Sequence, residues 1–326
     1  MLTAYAATAT GLKRLEVTAD QELPENAVWL DLLLPTLEED KLVERAVGVS
    51  VPTREEMSEI EASSRLYVEN RARYMTALLI CQSETERPFT TPTTFILAGK
   101  HLVTVRYDEP RSFAMFSHRA CKGEGEAPNT SEGVLIGILE AAVDRTADVM
   151  EKVGADIDGV SSRIFDRDAA RVSRKKSYQA VLKSLGRKDD LLSKARESLA
   201  TISRVATFLS AEIEGLKPSK EAQAQLRTLQ RDVQSINDYA AFLGNKVTFL
   251  LDALVGMVSV EQNDIIKLFS VVAVVMMPPT LVASIYGMNF RHMPELDWPF
   301  GYPMALIIMV ISAILPYVFF KWRRWL

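Results

Sequence analysis

The sequence predicts an α/β domain followed by long α-helices. The last of these runs without a break, as a stalk, into the first of two C-terminal membrane spans. Three observations lead there. Over roughly the first 120 residues, short runs alternate apolar and polar side chains and are rich in β-branched residues. After about residue 131 the pattern turns helical and stays so. Near the end, Leu268 to Phe290 and Trp298 to Phe320 carry no charged side chain. Each of these runs is close to the roughly 20 residues that cross a hydrocarbon core of about 30 Å.

The strands are expected at residues 12–17, 27–34, 65–70, 73–80, 93–97 and 101–107. The stretch "TREE" has the capping-box form, Thr53 to Glu56, and opens a short helix. A Gly- and Pro-containing loop, "CKGEGEAPNT", closes this region. One long helix follows from Ser131 to Phe165 and a second from Asp168 to Glu214, and "GLKPSK" then breaks the pattern. A third helix starts near Glu221 and meets no stop signal before the membrane. The chain therefore divides into an α/β domain at 1–130, long antiparallel helices at 131–220 and a stalk helix at 221–266. A first span at 267–290, an outer loop at 291–300, a second span at 301–320 and a basic tail at 321–326 complete it.

Bulk properties exclude several classes. The length of 326 residues exceeds the roughly 100–200 of one domain. A net charge of −4 asks for no nucleic acid. Cys81 and Cys121 form no C-x-x-C pair and no disulfide framework, so a reducing compartment is expected. The opening stretch "MLTAYAATATGLKRLEV" puts its positive charges after its mild apolar run, the reverse of a signal peptide. There is no Gly-rich phosphate loop, H-E-x-x-H or G-x-S-x-G, and His101, His118 and His292 are scattered. No nucleophile–base set is legible, so an enzyme is not expected.

Charge also orients the spans. Lys321, Arg323 and Arg324 follow the second span and Lys267 precedes the first, whereas the short loop sets Arg291 against Glu295 and Asp297. The positive-inside bias puts both termini in the cytoplasm and the loop outside, with Trp298, Tyr302, Trp322 and Trp325 at the interfaces. Pro278, Pro279 and Pro316 fall within the spans, where neighbouring helices or waters can satisfy the carbonyls they free.

The third helix carries two lines of residues. Leu226, Leu229, Val233, Ile236, Ala240, Leu243, Val247, Leu250, Leu254 and Met257 alternate steps of three and four, a heptad seam. Such a seam fits assembly, and equally a helix packed on its own domain. The second line is Asp252, Gly256, Ser259, Asn263, Ile266, Ser270, Ala273, Met277, Thr280, Ser284 and Gly287. It begins about 200° round from Leu250 and is mostly small or polar. A neighbouring line, Leu268, Val272, Val275, Pro279 and Val282, is wholly apolar. Small residues can serve close helix packing, or the line can border a wet path. The second option accounts for the polar side chains and requires several copies around an axis, because two spans cannot enclose a pore.

Four stretches carry a resemblance: Tyr286-Gly287-Met288-Asn289-Phe290, Met293-Pro294-Glu295-Leu296, Gly301-Tyr302-Pro303 with the basic tail, and "EQNDIIKLFSVVAVVMMPPTLVAS" at 261–284. Over roughly the last 90 residues the chain resembles the CorA family of divalent-cation channels, in its magnesium branch. The resemblance implies a funnel-shaped homopentamer in the inner membrane, with the first span lining the pore. It implies that Gly287, Met288 and Asn289 form the outer selectivity filter, with Gly287 and Asn289 meeting the metal ion. Asn263, Ile266, Phe269, Ser270, Ala273, Met277, Thr280 and Ser284 then line the conduit, Ile266 and Phe269 at its hydrophobic constriction. Asp252 stands at an acidic cytoplasmic entrance, and Glu295 on the outer loop attracts cations. Mg²⁺ is implied as the transported and regulatory ion, with Co²⁺ and Ni²⁺ as further cargo and no other cofactor. The partners implied are other copies of the chain, the bilayer and the cations themselves. Asp232 and Asp238 are candidates for regulatory ligands, though surface positions would look the same. Two alternatives stand beside this reading: a zinc transporter of the same superfamily, and a membrane-anchored helical scaffold.

Overall fold

The structure is a computed structural model that describes residues 1–8, 10–18, 20–123, 129–165, 174–214, 220–289, 293–294 and 298–323. Seven strands form one mixed sheet: β1 (Leu2–Thr8), β2 (Gly11–Val17), β3 (Ala27–Leu33), β4 (Leu66–Glu69), β5 (Ala72–Cys81), β6 (Phe89–Ala98) and β7 (His101–Arg106). Their order is β2-β1-β3-β7-β6-β5-β4. Only β3 and β7 pair in parallel; every other neighbour is antiparallel. Successive side chains on a strand face opposite sides, and the core divides accordingly. Trp29, Phe95 and Leu102 belong to one apolar cluster, whereas Leu30, Ile96 and Val103 belong to the other.

Strand β1 was not expected. Its sequence, Leu-Thr-Ala-Tyr-Ala-Ala-Thr, holds three Ala and no Val, Ile, Phe or Trp, which weakens the strand signal of its Thr and Tyr. It lies between β2 and β3 with five of its seven residues buried, a place small side chains fit. The expected strands otherwise stand where the pattern put them, with ends shifted by a few residues.

Helices cover both faces of the sheet. On one side are α1 (Leu37–Val47) and α2 (Arg54–Met57), contributing Val43 and Met57 to the second cluster. Both start with full capping boxes, Thr36–Glu39 and Thr53–Glu56. The short α3 (Ala62–Arg65) leads into β4. On the other side α4 (Arg111–Lys122) brings Phe113 and Phe116 against Trp29. Cys121 and Lys122, expected in a loop, belong to this helix; most of the loop that follows lies outside the described residues.

Then come the long helices α5 (Ser131–Phe165), α6 (Arg174–Glu214) and α7 (Lys220–Tyr286), and finally α8 (Gly301–Trp322). The start expected for α6 at Asp168 lies outside the described residues. Helices α5 and α6 run antiparallel: Asp156 pairs with Lys188, while Arg145 and Ser198 line one small cavity. Strand β4 stops opposite Met75, and beyond its end the Leu78 N–H donates to the Thr201 hydroxyl of α6 at 2.9 Å. Gly154 on α5 lets α7 come close, since a Cβ there would lie 2.4 Å from the Tyr239 hydroxyl. The chain forms two units, Met1–Leu250 and Leu251–Leu326.

A buried polar chain fastens β3 to β7 and α4. Trp29 Nε1 donates to Thr104 at 2.9 Å, and Thr104 donates to Asp31 at 2.7 Å. Arg106 grips Asp31 with Nε at 3.0 Å and a second nitrogen at 2.7 Å, and lies 4.6 Å from the Phe113 ring centre. Removing Arg106 leaves Asp31 buried without its charge partner, which costs about 3–5 kcal/mol. Arg106→Met is therefore expected to lower the unfolding temperature of the detergent-solubilised protein by several degrees, read by near-UV circular dichroism. An unchanged midpoint would mean the pair contributes nothing to the sheet.

Candidate functional site

The two lines on α7 separate cleanly. In the first unit, Leu226, Leu229, Val233, Ala240, Leu243, Val247 and Leu250 are buried and Ile236 is half-buried. Leu226, Leu229 and Val233 join the main apolar cluster, so the seam is accounted for by packing within the chain. In the second unit, Leu254 is buried and Met257 half-buried.

The polar line behaves in the opposite way. Asp252, Gly256, Ser259, Asn263, Ile266, Ser270, Ala273, Met277, Thr280, Ser284 and Gly287 are all exposed. Ile266 is 60% exposed, and Met277 and Phe269 are each 69% exposed. The face that the chain does cover consists of buried Val271 and half-buried Val275, Pro278, Pro279, Val282 and Tyr286. At about 100° per residue, that face centres about 180° from the polar line at the same height. Leu268 and Val272, from the expected apolar neighbour line, are 55% and 51% exposed. No sequence signal separates Val271 from Val272; only packing does.

This much exposed apolar surface is foreign to a soluble helix. Both α7 and α8 hold stretches long and apolar enough to span a bilayer, with only 6% of each such stretch buried. A core helix of a soluble protein would be mostly covered.

Two hydroxyls on the line, those of Ser259 and Thr280, are set for acceptance. Thr280 donates to the Met276 carbonyl at 2.8 Å and Ser259 to the Val255 carbonyl at 3.0 Å. With the proton turned back into the helix, the free lone pairs are left for outside donors. Water bound to a cation points its hydrogens away from the ion, so such a surface suits a hydrated cation. This donor direction had no signal in the sequence.

Helix α7 ends at Tyr286, and the next three residues are Gly287, Met288 and Asn289. The Gly287 N–H still donates to the Ala283 carbonyl at 3.0 Å, and Met288 N–H reaches Ile285 at 3.3 Å. A Cβ on Gly287 would lie 3.0 Å from the Ala283 carbonyl oxygen, a backbone atom already holding that bond. Met288 is 46% exposed and Asn289 is also exposed. Glu295 lies outside the described residues; Pro294 beside it is exposed.

Among the described residues, no three His, Cys, Asp or Glu side chains group closely enough to hold a metal ion. Asp252 is exposed at the start of the line, and Asp264 pairs at 3.7 Å with Lys267, one turn away on the surface. Asp232 and Asp238 are both exposed, and Asp238 accepts from Gln234 at 2.9 Å. On α5, burial pushes the carboxyls of Glu140 and Asp144 above the usual range, with nearby Asp232 adding to the effect and Arg119 opposing it.

A profile for the family described as "CorA-like Mg2+ transporter protein" matches residues 24–323. The magnesium transport protein CorA of Pasteurella multocida is 34% identical over 326 residues, the whole of both chains. That of Escherichia coli K12 is also 34% identical over the whole of both. The solved structure of the CorA magnesium transporter from Methanocaldococcus jannaschii superposes with a TM-score of 0.75 at 17% identity, covering 98% of this chain and 97% of that one. At that identity the likeness is one of fold.

Cysteine labelling checks the division of faces. With Cys81 and Cys121 replaced by Ser and the protein in liposomes, single thiols at Asn263, Ser270, Met277 and Ser284 should react with a charged, water-borne reagent. Thiols at Val271, Val275 and Val282 should stay unlabelled. Equal labelling of both sets would mean that the helix has no wet face.

Proposed function

The chain belongs to the CorA-like Mg2+ transporter family, and on that premise we propose that it is a divalent-cation channel of the inner membrane with Mg²⁺ as its main cargo. Co²⁺ and Ni²⁺ are the further ions it would accept. The observation that carries the reading is the exposed polar line that ends at Gly287-Met288-Asn289. The intended partner of that line is the same line on other copies. Five chains around an axis would turn the second unit's uncovered surface into a pore wall, with both termini in the cytoplasm.

Mg²⁺ gives up its waters reluctantly, so its filter works best by binding the hydration shell. Asn289 supplies a side-chain oxygen from each copy, and Gly287 leaves its carbonyl unshielded by a side chain. A ring of such oxygens selects for a hydrated ion in a bore wider than a dehydrating filter. Carboxylates at the same place would hold the ion too long for release. Glu295 acts from the outer loop by raising the local cation concentration.

Below the filter, Ser284, Thr280, Met277, Ala273 and Ser270 border the conduit. Ile266 and Phe269 form the constriction, where an apolar ring excludes a hydrated ion until it widens. Asn263 adds a polar ring beneath, and Asp252 an acidic entrance. Cytosolic Mg²⁺ bound between subunits closes the channel.

Losing one hydrogen bond per copy removes about 0.5–1.5 kcal/mol each. Across five copies, Asn289→Ala is expected to cut Mg²⁺ uptake into liposomes on the order of a hundredfold or more while the oligomer persists on size-exclusion chromatography. Gly287→Ala is expected to reduce uptake as well, because its Cβ presses on the Ala283 carbonyl. Normal flux through Asn289→Ala would sink the filter assignment. Uptake of Zn²⁺ that Mg²⁺ does not compete with would move the chain to zinc transport. Absence of any ion flux from the unaltered protein would leave the helical scaffold.

A further inference from the structure

Helices α4, α5 and α6 and strand β5 of the first unit surround a small cavity. Leu79, Ile80, Ala142 and Val149 form its apolar side. Its polar side takes one hydroxyl residue from each helix: Ser112 from α4, Thr146 from α5 and Ser198 from α6. All three are nearly fully buried, at 3%, 3% and 1% exposure. The cavity leaves the centre of a water molecule about 10 Å³, the lower limit of the roughly 10–15 Å³ that one water needs.

Two of these hydroxyls are unmatched. Neither Ser112 Oγ nor Ser198 Oγ has a hydrogen-bond partner among the described residues. Neither is sealed in the way of the unbonded Arg145 Nε, so each keeps a trace of open surface. In side chains this buried, lining this cavity, that surface is the cavity's own. The third hydroxyl is half used: Thr146 donates to the Ala142 carbonyl at 2.8 Å and keeps its lone pairs for an outside donor. A buried hydroxyl without a partner is costly, and most such groups have one.

We propose that this cavity is a binding site for one water molecule, held by Ser112, Thr146 and Ser198. The water donates one hydrogen to Thr146 Oγ1, and its second hydrogen and its lone pairs serve the two serines. Three polar partners are what a buried water ordinarily has. The lining holds no carboxylate for a cation, and Arg145 beside it repels one. The space is too small for a polyatomic ligand. Helix α4 begins without a side-chain cap, and Ser112 stands in its first turn. The water therefore ties the start of α4 to α5 and α6, a bridge nearly as good as a direct hydrogen bond. The proposal rests on the first unit alone and is independent of ion transport.

An experimental structure of the full-length protein, sharp enough to show ordered waters, tests this directly. One peak is expected within hydrogen-bond distance of all three hydroxyl oxygens, about 2.5–3.0 Å. The peak should vanish in Ser198→Ala. Thermal unfolding in detergent, followed by near-UV circular dichroism, adds a readout that side-chain packing alone would not move. Ser112→Ala and Ser198→Ala should each lower the midpoint by a few degrees. The double variant should fall little further than either single one, because the first substitution already releases the water. A structure that resolves other buried waters but shows no peak here would overturn the proposal. So would midpoint shifts that simply add.

Discussion

A membrane helix satisfies its own backbone, but its side chains must still find a suitable neighbour. In the second unit, Ser270, Thr280 and Ser284 face outward on a helix otherwise apolar enough for lipid, and the chain covers only the opposite face. That mismatch governs the rest of the account. Hydroxyl lone pairs left open in hydrocarbon are unfavourable, and in the proposed channel the line meets water or other copies. Meeting water in mid-membrane requires a wall made by several chains. In the proposed channel, assembly of several copies would supply that conduit along the uncovered line.

The first unit depends on packing of the ordinary kind. Its sheet is covered on both sides, and the start of α7 is held by its own heptad seam. The same helix therefore changes task along its length. Up to Leu250 its seam residues are covered within the domain, although Phe242 and Phe249 stay exposed; after Asp252 most residues are left open. Proposed gating fits that division, because the constriction at Ile266 and Phe269 lies in the part the chain leaves uncovered.

Much of this was legible beforehand, where periodicity and charge carry it. Helix α5 spans Ser131 to Phe165 as its pattern said, and α7 runs on from Lys220 as the lack of any stop signal required. The capping box at Thr53 is present. Strand β1 was not legible, because Ala-rich segments gain strand character from neighbours on both sides and not from their own propensity. Helix α4 was hidden beside a Gly-rich loop. In the span, the polar line could be read because Ser, Thr and Asn stand out from Val. The covered face could not, because Val271 and Val272 differ only in what lies against them.

The proposed pore exists only in the assembly. Its most direct test pairs native mass spectrometry with Mg²⁺ flux on the same liposome-competent preparation. A complex of five 36.4 kDa chains that admits Mg²⁺ is expected. Dissociating the complex should abolish the flux. Mg²⁺ flux from a protein that is monomeric in the bilayer, or an intact pentamer that passes no divalent cation, would contradict it.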